Sequence, residues 1–243
     1  LFSAPLLFYC HFPDQLLTER KSLFKKLYRI FIDSLEGWTT AMADIICVNS
    51  EFTREVVRRT FPGLAAHHLH VLYPTINVQF FDSSTTASLK ELPQTARHIF
   101  LSINRFERKK NIALALQAFG LLDNLADEEK LELLRCATAV LYTPSNEHFG
   151  IVPVEAMYMR CCVIAPNNGG PRESIIDGET GFLVNADADS FAEKMSVLVT
   201  DKHRARAMGD AGRERVLSIF TMESFAKKLE SLMHTVITKS VSS

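Results

Sequence analysis

The sequence predicts an α/β protein in two parts, each built on a parallel sheet with helices on its faces. Three observations carry that prediction. Short apolar runs alternate with stretches of helical periodicity, the pattern of strand–helix–strand units. Runs such as Ile45-Ile46-Cys47-Val48 are hydrophobic at every position, as strands buried on both faces must be. The alternation is interrupted over residues 82–95 by a Ser/Thr-rich stretch without periodicity, and then starts again.

In the first series, residues 6–10 read as a strand ending at the polar turn His11-Phe12-Pro13-Asp14. Residues 22–38 carry Leu23, Leu27, Phe31, Leu35 and Trp38 at helical spacing. Residues 45–48 form the next strand, Asn49-Ser50 caps a helix running to residue 59, and residues 71–73 form a third strand closed by Pro74. In the second series, residues 99–103, 139–142, 162–165 and 182–184 read as strands, and 113–122, 127–136 and 150–159 as helices. Residues 189–238 are helical throughout, with breaks expected near Asp201, over 209–212 at Gly209 and Gly212, and near Thr221. The expected division is 1–82, a linker over 83–97, 98–217, and a C-terminal helix and tail over 218–243.

Composition narrows the function classes. The 243 residues are 47% hydrophobic and 23% charged with a formal net charge of −1, which gives no basis for nucleic-acid binding. No run of eighteen apolar residues is present, so no membrane-crossing helix is expected. The opening LFSAPLLFY lacks a charged leader or cleavage site and reads as entry midway through a domain. Cysteines 10, 47, 136, 161 and 162 have no metal-ligand spacing and read as buried free thiols of a reducing compartment. Asp187-Ala-Asp189 reads as a helix cap, and His67, His68 and His70 suggest no fourth metal ligand.

Three segments carry chemistry. In Tyr142-Thr-Pro-Ser-Asn-Glu-His-Phe-Gly-Ile-Val-Pro-Val-Glu-Ala-Met157 a strand ends, Gly150 frees the backbone, and a helix begins whose N–H groups suit a phosphate. Glu147 precedes that turn and Glu155 lies about one helical turn beyond it, so two carboxylates can hold two parts of one ligand. Ser102-Ile-Asn-Arg-Phe-Glu-Arg-Lys-Lys-Asn111 places Arg105 and Lys110 at a strand's carboxyl end, where open α/β sheets bind ligands. Asn167-Asn-Gly-Gly-Pro-Arg-Glu-Ser174 is a strand-to-helix turn whose glycines allow close backbone approach.

Together these segments resemble the signature of the retaining glycosyltransferases of family 4. The resemblance implies two Rossmann-like domains facing across a cleft, the GT-B type. Both are incomplete here: early strands of the first precede Leu1, and residues 122–130 join two helices where the family has strand, helix and strand. The remaining four strands of the second sheet would stay contiguous. By the same resemblance Glu147 meets the donor sugar hydroxyls and Glu155 the ribose, while Arg105 and Lys110 bind the diphosphate. Phe149, Gly150, Ile151, Gly169 and Gly170 complete the donor site, and His11, in Tyr9-Cys-His-Phe-Pro-Asp14, faces the reacting sugar.

The wider wording, YCHFPD with SINRFERKKN and TPSNEHFGIVPVEAMYM, is similar to the branch of mannosyltransferases that extend dolichol-linked precursors of asparagine-linked glycans. That likeness implies GDP-mannose as donor, a lipid-linked oligosaccharide as acceptor, α-1,3 and α-1,6 linkages, and no metal or other cofactor. It also implies a site of action at the cytosolic face of the endoplasmic reticulum membrane. A non-catalytic fragment that binds nucleotide at most, and a family 4 enzyme using another nucleotide sugar, remain open beside it. The helix over 22–38, with Lys21, Lys25, Lys26 and Arg29 beside its apolar stripe, fits two readings equally: resting on an anionic membrane, or covering the sheet.

Overall fold

The computed structural model describes residues 4–18, 22–64, 69–83, 98–103, 111, 114 and 127–241. It divides into two compact units, Leu1–Pro74 with Glu223–Ser243, and Thr75–Met222.

The first unit is built on three parallel strands in the order β1 (Leu7–Cys10), β2 (Ile45–Val48), β3 (Leu69–Val71). Leu7 pairs with Ile45 and Ile46 with Leu69. Alternate residues of β2 serve opposite faces. Ile46 and Val48 join Val57 and Phe61 on the side of α3 (Glu51–Thr60), which Ser50 caps by accepting from the Thr53 N–H at 2.9 Å. Ile45 and Cys47 face Leu232 and Val236 of the C-terminal helix, Met222–Val241. Both sheet faces are therefore covered, one of them by the end of the chain.

Two further helices flank that sandwich. They are α1 (Asp14–Leu17) and α2 (Leu23–Ala41), the latter capped by Ser22, whose Oγ accepts from the Lys25 N–H at 3.2 Å. The stripe of Leu23, Leu27, Phe31, Leu35 and Trp38 does not cover the sheet; every member is exposed. The side turned inward is mainly polar, with Ala41 on the core at its end. Arg29 is buried and reaches Asp14 at 2.8 Å and Asp33 at 2.7 Å, and Glu36 accepts from the Asp14 N–H at 2.7 Å. The covering role expected as one reading of this helix thus falls to α3 and the C-terminal helix.

Among the described residues the second unit holds four parallel strands in sequence order, β4 (Phe100–Leu101), β5 (Ala139–Leu141), β6 (Cys162–Pro166) and β7 (Phe182–Val184). Those four strands are contiguous, as the sequence predicts for the shortened sheet. Its helices include α4 (Val78–Ser83), α5 (Asp127–Cys136), α6 (Ile151–Tyr158), α7 (Pro171–Ser174), α8 (Ala188–Thr200) and α9 (Lys202–Ile219); the C-terminal helix, α10, belongs to the first unit from Glu223 on. Ala139, Leu141, Cys162 and Ile164 pack with Phe191, Met195 and Leu198 of α8. The helix expected over 113–122 lies outside the described residues apart from Leu114.

Two expectations are corrected. Gly209 and Gly212 do not break the helix: α9 runs unbroken from Lys202 to Ile219. A side-chain carbon at Gly209 would collide with the Arg160 carbonyl, and one at Gly212 would stand 3.0 Å from Met157, so these glycines let α9 press against α6. Residues 75–82, assigned to the first domain, belong to the second unit. There Tyr158 donates to Asp82 at 2.8 Å and Phe81 packs edge-on against Tyr158 at 5.5 Å. Likewise 218–222 stays with the second unit while the rest of the tail returns to the first.

Candidate functional site

The site is made by two loops at the carboxyl ends of β5 and β6. The first follows β5 through buried Tyr142 and Thr143 and turns at Asn146, whose φ of 56° is left-handed. The second follows β6 through Asn167 to Gly170. They interlock: the Asn146 N–H donates to Asn168 Oδ1 at 2.6 Å, and the Gly170 N–H donates to the Glu147 carbonyl at 2.8 Å.

Three glycines make that contact sterically feasible. Gly169 adopts φ 58°, and a side-chain carbon there would lie 2.6 Å from the Glu147 carbonyl oxygen. One at Gly170 would collide with the Phe149 carbonyl. Gly150, at φ 78°, caps α6 without a side chain, and a side-chain carbon there would lie 2.7 Å from the Tyr142 hydroxyl. Beneath them Phe149 is buried against Phe220, with ring centres 5.6 Å apart.

Glu147, Phe149, Gly150, Ile151, Gly169 and Gly170 are thus brought to one place, around the start of α6. With no side-chain cap on that helix, the Ile151 and Val152 N–H groups face the turn that the glycines shape. Burial raises the Tyr142 hydroxyl above its ordinary pKa, and the Glu147 charge adds to the shift. Tyr142 therefore stays a neutral phenol beneath the loop.

Glu155, one turn into α6, holds Lys130 of α5 at 2.7 Å, in a pair with both side chains largely shielded. Lys130 was not legible as a site residue; it follows the acidic run Asp127–Glu129 with no motif around it. Asn146 and Asn168 were also missed as individuals, although both lie inside motifs the sequence singled out. Arg105 and Lys110 lie outside the described residues. His11 belongs to the other unit, where it is exposed and packs edge-on against Tyr9 at 4.8 Å.

Among the described residues no group of three His, Cys, Asp or Glu side chains is placed to hold a metal. Asp187 is a cap, accepting from the Ser190 N–H at 2.8 Å. All five cysteines are free, and four are buried; Cys136 is exposed at the end of α5, against the expectation of burial.

A family model described as "Glycosyl transferases group 1" matches residues 123–215, and one described as "Glycosyltransferase Family 4" matches residues 1–80. The solved sucrose-phosphate synthase of Thermosynechococcus elongatus shares the fold, with a TM-score of 0.75 at 22% identity over 96% of this chain and 68% of that one. Two parallel-sheet units and this pair of interlocked loops define the class: a GT-B glycosyltransferase fold.

Human alpha-1,3/1,6-mannosyltransferase ALG2 is 42% identical over 275 residues, covering 92% of this chain and 66% of that protein. The Dictyostelium discoideum ALG2 is 35% identical over 296 residues, covering 95% of this chain and 70% of that protein. The chain belongs to the ALG2 alpha-1,3/1,6-mannosyltransferase family. It spans 66% of the length of the human relative. The human alignment of 275 positions includes 92% of these 243 residues, about 224, and so leaves about 51 positions of the relative without a counterpart here.

Proposed function

We propose that this chain carries the donor side of a retaining mannosyltransferase. It moves mannose from GDP-mannose to a dolichol-diphosphate-linked oligosaccharide, forming α-1,3 and α-1,6 linkages in asparagine-linked glycan precursor assembly. The reaction belongs at the cytosolic face of the endoplasmic reticulum membrane. The observation that carries the reading is the interlock of the 145–150 and 167–170 loops at the start of α6, made in part through the Glu147 carbonyl.

Glycosyl transfer passes through an oxocarbenium-like state as the bond to the leaving diphosphate breaks. The start of α6 offers N–H donors and the positive end of a helix dipole where charge grows on the leaving group, and Arg105 and Lys110 add cations. Glu147 holds sugar hydroxyls and Glu155 the ribose. With no carboxylate assigned beneath the ring, the acceptor attacks from the face the nucleotide leaves, which retains configuration. His11 acts at the reacting sugar. No metal or other cofactor takes part.

A second reading is a non-catalytic chain that binds nucleotide at most. It is favoured by the Glu155–Lys130 pair, which occupies the proposed ribose carboxylate, and by the positions of the human relative that have no counterpart here. Incubation with GDP-mannose and a lipid-linked acceptor separates the two. Mannosylated product, reduced about a hundredfold or more in Glu147→Gln, supports transfer. A folded chain that binds GDP-mannose without forming product supports the second reading. Product from UDP-glucose in preference to GDP-mannose would replace the donor assignment.

A further inference from the structure

The largest apolar feature the proposed reaction leaves unused is the outer face of α2. Phe24, Leu27, Tyr28, Phe31, Leu35 and Trp38 recur at i, i+3, i+4, i+7, i+11 and i+14, forming one stripe along the helix. All six are exposed, Phe24 at 80%, Phe31 at 68% and Trp38 at 64%. Scattered exposed apolar residues need no explanation, but a continuous row about 21 Å long does.

The orientation is fixed, not incidental. On the inward side Arg29 bridges Asp14 and Asp33, and both oxygens of Glu36 accept backbone N–H groups at the start of α1, from Asp14 at 2.7 Å and Gln15 at 3.2 Å. Rotating the stripe inward would break all of these contacts. Nor does the unit's sheet require the stripe, because α3 covers one face and the C-terminal helix the other.

The chemistry of the face selects its partner. The two acids of α2, Asp33 and Glu36, are engaged on the inward side, whereas Lys25 and Lys26 stand exposed toward its N-terminal end. Leu16 and Leu17 of α1 are exposed at 53% and 60% and add to the unit's uncovered apolar surface. Tyr28 and Trp38 are of the aromatic types that favour the boundary between water and lipid, and lysine stems can lie on apolar surface while their ammonium groups reach phosphates. No helix here is long and apolar enough, among the described residues, to cross a bilayer.

We propose that the outer face of α2 is the surface by which this unit lies on an anionic lipid bilayer, the helix axis in the membrane plane. The apolar face sinks about 5–10 Å into the headgroup–acyl boundary, and Lys25 and Lys26 meet anionic headgroups. The inference rests on the packing of α2 and not on the proposed transfer reaction.

Trp38 is the only tryptophan in the chain, so its fluorescence reports this face alone. The test titrates the chain with phosphatidylcholine vesicles, with and without phosphatidylserine, following Trp38 emission and flotation. The expected result is co-flotation and a blue shift, stronger with phosphatidylserine and quenched by brominated acyl chains. Leu27→Glu with Phe31→Glu should weaken partitioning about tenfold or more, with the circular dichroism spectrum unchanged. Lys25→Gln with Lys26→Gln should remove the preference for phosphatidylserine, and Leu217→Glu, on α9, should change nothing. Unchanged Trp38 emission with no flotation would overturn the proposal. So would a blue-shifted Trp38 in lipid-free protein that sediments as a dimer, since a second copy would then cover the face.

Discussion

Helices α2 and α9 are of nearly equal length, 19 and 18 residues, yet they meet their units in opposite ways. In α9 the contact is a close approach without side chains on its own part: Gly212 lies on the Met157 side chain of α6 and Gly209 on the Arg160 backbone just past it. In α2 the contact centres on the buried Arg29 and its two carboxylates, with Ala41 on the core at the helix end, and the apolar stripe is exposed. The comparison teaches that periodicity reveals a helix's two faces without saying which one turns inward. It also shows that a helical glycine can mark a close approach where a break is expected.

The largest effect should come from filling the α9–α6 contact. Gly209→Val forces a branched side chain into the Arg160 carbonyl and should cost about 3 kcal/mol, read as a lower midpoint in urea. A neutral outcome would mean that the two helices can separate without loss, and the contrast with α2 would collapse. Lys130→Ala, which leaves Glu155 shielded and unpaired, should cost about 1–2 kcal/mol by the same measurement. If the nucleotide takes over Glu155, the deficit should shrink when GDP-mannose is present.

Much of this was legible in the sequence, and the failures have physical causes. The strands were found because buried parallel strands are apolar at every position, as Ile45–Val48 is. The two loop segments stood out because Gly150 precedes a helix and Gly169 and Gly170 follow a strand, but their interlock carries no local signal. What failed depended on partners distant in sequence. Arg29 looks like one more cation of a basic face until Asp14, fifteen residues earlier, is seen beside it. Lys130 meets Glu155 across 25 positions, and Leu232 returns to pack with Ile45 with no local signal. Local pattern defines elements; it does not choose among their long-range contacts.

Alkaline pH should sharpen the contrast between a sealed core and an open face. Burial pushes the Cys47 thiol up to about 11 from an ordinary 9.0, and the Cys10 thiol also to about 11, with the Glu36 charge adding to the latter. These raised values mean that the folded state keeps both thiols neutral while the unfolded chain ionises them. Their contribution to stability is intact below about pH 9 and is lost as pH rises toward about 11. The thermal midpoint should therefore fall between pH 8.5 and 10.5, and Cys47→Ala should reduce that slope. The smallest effect is expected at the open face. Phe31→Glu should change stability by no more than about 0.5 kcal/mol, because the side chain it replaces is mostly exposed. A large loss would place that face in an interior contact and contradict its orientation.

The claim that the two interlocked loops form a nucleotide-sugar site is tested most directly by thermal unfolding with GDP-mannose, GDP and UDP-glucose, beside Gly170→Ala. A ligand that binds only the folded state stabilises it by about 2.7 kcal/mol at a hundred times its Kd. The account predicts a rise in midpoint with the two guanine nucleotides, none with UDP-glucose, and no rise in Gly170→Ala, where the loops are forced apart. An unchanged midpoint with every nucleotide, in a chain that unfolds cooperatively, would contradict it.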